Sequence, residues 1–220
     1  MAGGSGITES GVTAVILAGG RGRRMGGRNK ALLAFDGEPF IRKQCRAAIE
    51  WAEELVIVAP ASPELAGAVD GLARLGREIR FVPDDFAGEG PLAGLHAGLK
   101  AAARPHVWAL ACDQPQPSVA AARLLLERLT EEACAAAVPL IGGRAQPLHA
   151  LYRAELASAC AELLSRGERR LGALLDAIAW TGVAEEEFKR AGASAAFAFD
   201  VDTPDDYGRL LRGEAGSTEA

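Results

Sequence analysis

Two rhythms of apolar residues alternate along this chain. Nearly continuous runs at Val12 to Leu17, Leu55 to Ala59 and Val107 to Ala111 predict strands covered on both faces, joined at Ile79 to Val82 by a shorter one. Between them apolar positions fall three and four residues apart, the period of a helix face. Pro39 precedes Ile41, Cys45, Ala48, Ile49 and Ala52; Ser62-Pro63 precedes Leu65, Val69, Leu72 and Leu75; Pro91 precedes Leu92, Leu95 and Leu99; and Pro117-Ser118 precedes Leu124, Leu125 and Leu129. Strand, helix, strand implies right-handed crossovers and a parallel sheet. The regularity fades after Ala133. Ala135 to Leu140, a Gly142-Gly143 turn and Pro147 to Leu151 predict a hairpin beside the main sheet, with helices near Ala154 to Ser165 and Leu171 to Ile178.

The fold class expected is therefore α/β: a single doubly wound, mostly parallel sheet flanked by helices, with a small antiparallel addition in the C-terminal third. With 220 residues, 49% of them hydrophobic, one substantial core suffices. Residues 1–11 and 213–220 are rich in small and polar residues and are expected to be disordered tails around one domain, 12–212.

Charge narrows the classes of function. A net charge of −5 argues against a broad nucleic-acid or anionic-membrane surface, so neither partner is expected. Cys45, Cys112, Cys134 and Cys160 are scattered, which suggests reduced core residues and neither a zinc knuckle nor a disulfide framework. No apolar stretch reaches the length of a membrane span and the first eleven residues do not resemble a signal peptide, so a cytoplasmic protein is expected.

Against this acidic background one stretch stands out. The first strand opens into Ala18-Gly19-Gly20-Arg21-Gly22-Arg23-Arg24-Met25-Gly26-Gly27-Arg28-Asn29-Lys30, where cations and glycines gather without an acid. Glycine lets backbone N–H groups converge on phosphate, and Arg and Lys add charge-assisted donors, so a nucleoside triphosphate is the ligand expected. Two familiar loops are excluded. Arg28 and Asn29 stand where a Walker A loop needs Lys and a hydroxyl, and the dinucleotide fingerprint fails at Met25.

Carboxylates supply the other half. Asp113 directly follows a buried parallel strand, where ligands of open α/β sheets sit, and is the first choice for a Mg²⁺ ligand; stabilising its own turn is the alternative. Asp200 and Asp202 share a face of an extended segment. Thr203, Pro204 and Asp206 are accounted for as the start of a last helix. Asp84-Asp85 ends the strand at Ile79 to Val82, where a solvated turn is also reasonable.

Leu17-Ala18-Gly19-Gly20, then Arg24-Met25-Gly26-Gly27, Lys30 and Leu32-Leu33, resemble nucleotidyltransferases of the molybdenum cofactor guanylyltransferase (MobA) type, as do Cys112-Asp113-Gln114-Pro115 and Gly88 to Leu95. The resemblance implies a Rossmann-like nucleotidyltransferase fold and transfer of GMP from GTP to the terminal phosphate of Mo-molybdopterin. It implies catalytic roles for Arg24, Lys30 and Asp113, nucleotide contacts from Leu17, Ala18, Gly19, Gly20, Lys30, Asp84 and Asp113, and Mg²⁺ on Asp113 with Asp202 as an outer or second ligand. Asp85 is left open as a substitute for Asp84. Gln146 to Tyr152 resembles a segment near the second substrate, although His149 between apolar neighbours also suits packing, and Glu168-Arg169-Arg170 would suit a phosphate-bearing pterin or plain surface. Molybdenum-insertion proteins and acceptor molybdoenzymes are partners by resemblance alone. A cytidylyltransferase, a sugar-phosphate nucleotidyltransferase and a non-catalytic cofactor-delivery protein are the competing readings.

Overall fold

The computed structural model describes residues 11–20, 29–72, 77–86 and 88–215. Ten strands and eight α-helices are described: β1 (Val12–Leu17), β2 (Ala34–Phe35), β3 (Glu38–Pro39), α1 (Phe40–Ile49), β4 (Glu54–Val58), α2 (Pro63–Val69), β5 (Ile79–Val82), α3 (Pro91–Ala101), β6 (His106–Ala111), α4 (Val119–Glu131), β7 (Ala136–Ile141), β8 (Arg144–Ala145), β9 (Ala150–Arg153), α5 (Ala157–Ser165), α6 (Leu171–Ala177), β10 (Trp180–Ala184), α7 (Glu185–Arg190) and α8 (Pro204–Leu211). Short 3-10 turns at Lys30–Leu32, Ala154–Leu156 and Ala195–Ala198 join them.

The main sheet runs β10-β7-β9-β6-β1-β4-β5, with β8 paired to β7. β1 is parallel to both β4 and β6, and β4 to β5. The chain winds outward from β1 through β4 to β5, then returns to the other side of β1 as β6. That reversal puts a crevice at the carboxyl ends of β1 and β6, the place where open α/β sheets bind ligands.

Both faces are covered because side chains alternate along each strand. Val12, Ala14, Ile16, Trp108 and Leu110 pack under α1, α2, α4 and α7, whereas Val15, Val56, Val107 and Ala109 pack under α3, α5 and α6. Helix α3 lies close to β1 at Gly98, where a Cβ would come within 2.3 Å of the Val15 side chain. Helix starts follow the capping expected from sequence. Ser62, Ser118 and Thr203 each accept a hydrogen bond from the first turn of their helix, and Pro63 and Pro204 occupy the first helical position. All four cysteines are buried and unpaired.

The two strands expected to form a hairpin do pair antiparallel, Ala136 with Tyr152 and Ala137 with Leu151, but within the main sheet and not beside it. β7 does turn through Gly142-Gly143, but into the two-residue β8. The later strand starts at Ala150, three residues beyond the expected Pro147, and is inserted into the main sheet, antiparallel to β6 on one side and β7 on the other. Buried Ala150, Leu151 and Tyr152 could only be satisfied there, between two strands and under both helical layers. β10 and α7, which sequence periodicity did not reveal, extend this edge, β10 running parallel to β7. At the ends of the expected domain, Gly11 donates to Glu53 and accepts from His106, while Gly213 and Glu214 donate to carbonyls of α8. Leu75 and the rest of the expected tails, 1–10 and 216–220, lie outside the described residues.

At the opposite end of the sheet from the crevice a buried acid ties three elements together. Glu54 accepts from Thr13 Oγ1 at 2.6 Å, from the Ala103 N–H at 2.8 Å and from Arg80 Nε at 3.1 Å. Burial pushes its pKa up, but these donors and the Arg80 charge outweigh it, and the net shift is downward. A carboxyl whose folded pKa lies below its unfolded value contributes stability above the unfolded value and loses it as pH falls through the folded one. Glu54→Gln is therefore expected to lose about 2 kcal/mol of unfolding free energy at pH 7. Denaturant titrations should find that deficit narrowing below about pH 4.

Candidate active site

The C-terminal end of β1 leads into Ala18-Gly19-Gly20. The Ala18 N–H donates to the Val58 carbonyl at 2.9 Å, and the Leu17 carbonyl accepts from Cys112 at 3.1 Å, so the start of the loop is sewn between β4 and β6. Gly19 and Gly20 are exposed. Neither has a positive φ, and among the described residues a Cβ at Gly20 would meet nothing within 4 Å, while one at Gly19 would meet only the Val58 carbonyl at 3.9 Å. Among the described residues nothing requires glycine at these two positions, and both leave room for close approach of a ligand. Arg21 to Arg28, including Arg24 and the remaining loop glycines, lie outside the described residues.

Lys30 begins the 3-10 turn after this loop, capped by Asn29, whose side chain accepts from the Ala31 N–H. Its Nζ donates to Asp113 Oδ2 at 3.1 Å and to Asp202 Oδ1 at 2.5 Å. Burial pulls the ammonium pKa down, but the hydrogen bonds and charges of Asp202 and Asp113 outweigh this and raise it, so Lys30 is cationic at neutral pH. Three chain segments far apart in sequence thus meet at one cation, in the crevice at the carboxyl end of β6.

Asp200 stands beside this group. Its Oδ1 accepts from Gln114 Nε2 at 3.0 Å. Crowding by protein around this solvent-accessible carboxyl and the negative charge of Asp113, then of Asp202, push it up to about 6, while Gln114 and Lys30 pull the other way. Asp200 and Asp202 do face the same cleft, because the buried Val201 between them anchors the extended segment against Leu33, Phe40 and Leu210, and its N–H donates to the Asp113 carbonyl at 2.9 Å. Asp206 serves the helix start: its carboxylate accepts from the N–H groups of Asp202 and Thr203 and from the Thr203 hydroxyl, as the capping pattern predicts.

The donor set suits a hard divalent cation. Magnesium is bound through one or two carboxylates together with water and substrate phosphates. Asp113 and Asp202 already share a cation, with Asp200 alongside. Among the described residues no group of three or more His, Cys, Asp or Glu side chains forms a preassembled metal cage. A site that borrows phosphate oxygens does not need one.

Other candidate residues separate from this centre. Asp84 follows β5, and its Oδ1 accepts from the Phe86 N–H at 2.9 Å, an Asx turn. Asp85 faces Lys100 at 2.8 Å on the exposed side of α3. His149 is fully buried in a left-handed backbone conformation, φ 74°, where its Nε2 accepts from the Ser118 N–H at 2.9 Å and its ring stacks on Phe197. Burial lowers its pKa to about 3, so it is a neutral packing residue. Arg169 donates to the carbonyls of Leu164 and Glu168 and pairs with Glu89, and Arg170 pairs with Glu168; both are engaged within the protein. Cys112, beside Asp113, is pushed up to about 12 by burial and by that carboxylate, which removes it as a nucleophile.

Two glutamines near the centre are not singled out as site residues by the sequence, Gln44 outside any motif and Gln114 within the Cys112 to Pro115 stretch. Gln44 on α1 donates to the carbonyls of Ala111 and Gln114, and Gln114 reaches Asp200. Gln44 interrupts the apolar stripe of Ile41, Cys45 and Ala48, and a buried amide at such a position was the available signal.

Residues 14–181 match the family of the MobA-like NTP transferase domain. The molybdenum cofactor guanylyltransferase of Syntrophotalea carbinolica is 30% identical over 209 residues, 91% of this chain and 90% of that protein. That of Burkholderia vietnamiensis is 38% identical over 177 residues, 76% and 82%. In three dimensions, the molybdopterin-guanine dinucleotide biosynthesis protein A of Archaeoglobus fulgidus superposes with a TM-score of 0.73 at 22% identity, covering 91% of this chain and 97% of that one. The 2-C-methyl-D-erythritol 4-phosphate cytidylyltransferase of Thermus thermophilus gives 0.66 at 20%, covering 91% and 97%. Glycine loop, strand-end aspartate, sheet order and sequence identity agree: this chain belongs to the MobA-like NTP transferase family.

Proposed function

We propose that the protein transfers GMP from GTP to the terminal phosphate of Mo-molybdopterin, releasing pyrophosphate, in a reaction that depends on Mg²⁺. The observation that carries this reading is the meeting of Lys30, Asp113 and Asp202 at the crevice where the glycine loop ends β1. The guanine base and the pterin acceptor rest on the relatives named molybdenum cofactor guanylyltransferase.

In this reaction an oxygen of the acceptor phosphate bonds to the α-phosphorus of GTP, and the bond from that phosphorus to the bridging oxygen of the β-phosphate breaks. The electron pair leaves with pyrophosphate. The acceptor phosphate is already ionised near neutral pH, so no general base is needed. A neutral, buried His149 and high-pKa thiols are consistent with that economy.

The protein's task is positioning and charge. Asp113 and Asp202 would hold the Mg²⁺ ion, which when bound neutralises charge on the phosphate oxygens. Lys30 would exchange its carboxylate partners for the triphosphate and meet the negative charge that builds on the phosphoryl oxygens and the departing pyrophosphate. Arg24 is assigned a share of that charge, and Leu17 to Gly20 line the nucleotide. Because the Ala18 N–H is engaged with Val58, the phosphate-facing donors of this stretch are assigned to Gly19 and Gly20. Asp84, at the end of β5 on the same edge of the sheet, is assigned to the nucleoside.

Pyrophosphate release measured with Mg²⁺, molybdopterin and either GTP or CTP tests the reading directly. Turnover with GTP and little with CTP is expected; the reverse would make the chain a cytidylyltransferase, and no release with either would remove the enzyme reading. Lys30→Ala should reduce kcat by about a hundredfold or more, as loss of other fixed charge stabilisers does. Near-normal turnover would refute its assignment. Gly20→Ala is expected to unfold at the wild-type temperature yet bind GTP about tenfold more weakly, a separation that calorimetry and thermal melts can read, since among the described residues nothing lies within 4 Å of the added methyl group.

A further inference from the structure

Buried amides call for an explanation, because an apolar side chain of similar size would avoid the desolvation of both polar atoms. Gln44 is fully buried and Gln114 is 3% exposed. Neither amide oxygen has a hydrogen-bond partner among the described residues. What both side chains supply is the nitrogen.

Those nitrogens form a two-step brace. From α1, Gln44 Nε2 donates to the Ala111 carbonyl at 2.5 Å and the Gln114 carbonyl at 2.8 Å, which bracket Cys112 and Asp113. The Asp113 carbonyl accepts from Val201 and the Gln114 N–H turns back to Ala111, so the backbone on both sides of Asp113 is fixed. The Gln114 side chain then extends to Asp200 Oδ1 at 3.0 Å. Helix α1, the end of β6 and the aspartate segment before α8 are thereby locked in one arrangement.

An amide differs from Lys30 as a partner for these acids. It satisfies one lone pair of a carboxylate without cancelling its charge, and it stays in place when Lys30 leaves for the phosphates. We propose that Gln44 and Gln114 are positioning residues that keep Asp113 and Asp200 aimed at the cleft for a divalent cation. This rests on the metal-assisted reading of the site. Groups that orient metal-binding carboxylates from behind are worth about 10–100-fold in metal affinity.

The test uses the full chain with Mn²⁺ as the probe, its free concentration followed by electron paramagnetic resonance in the presence of GTP, alongside thermal unfolding. Gln114→Met should weaken Mn²⁺ binding about tenfold or more while GTP binding in EDTA stays at the wild-type level. Gln114→Asn, which keeps the amide one methylene short of Asp200, should do the same and serves if the methionine variant does not fold. Gln44→Met should shift in the same direction. Thr13→Val, at the far end of the sheet, controls for lost stability and should leave Mn²⁺ affinity unchanged. The brace is overturned if Gln114 variants bind Mn²⁺ like wild type, or if Thr13→Val weakens it as much. Asp113→Asn separates the two levels: unchanged Mn²⁺ binding there removes the metal reading itself, whereas loss there with intact binding in the Gln114 variants overturns the brace alone.

Discussion

A lysine ammonium between two aspartates is the contact that the rest of this site is built around. Asp113 and Asp202 would repel each other if left to themselves in a cleft only partly open to water, and Lys30 removes that repulsion by bonding to both. On Asp200, close to the group, burial first and then the negative charge of Asp113 and of Asp202 push the carboxyl up to about 6. A cluster of this kind is held together by positive charge. On the proposed reading, phosphate groups would give Lys30 a new partner and a metal ion would give the acids a new cation.

The fold meets that demand through its winding. Because β1 is the strand at which the sheet order reverses, its carboxyl end and that of β6 open side by side, and Leu17 lies in register with Ala111. The start of the glycine loop, Ala18 to Gly20, and Asp113 therefore leave the sheet from adjacent strand ends. Asp202 is brought in from the far end of the chain, by Val201 packing into a small apolar cluster and donating to Asp113. Chemistry that needs three charges within a few ångströms is delivered by apolar anchors and backbone hydrogen bonds.

Polar groups buried around the site divide into two kinds. His149, held neutral and stacked between aromatic rings, fixes the start of α4 and takes no part in proton transfer. Gln44 and Gln114 face the acids and their backbone, so their burial bears on the geometry of the cleft. The difference lies in what each donor or acceptor meets, since residue type alone does not separate them.

The alternating strands and helices and the capped helix starts were legible in the sequence, as was the choice of Lys30, Asp113 and Asp202 as candidates, three side chains that the fold brings together. These are local properties: period, turn chemistry and a charge placed straight after an apolar run. That β9 slots between β6 and β7, that β10 continues that edge, and that two glutamines stand behind the acids emerged from the folded chain alone. Insertion of an antiparallel strand depends on which neighbours leave backbone donors and acceptors unpaired, and a short run such as Ala150 to Arg153 carries no record of its partners. Likewise Gln44 lies 67 and 70 residues from the carbonyls it binds, so its polar break in the α1 stripe could mark the residue but not its partners. Periodicity encodes which face of an element is buried; the contacts across that face exist only once the chain has closed.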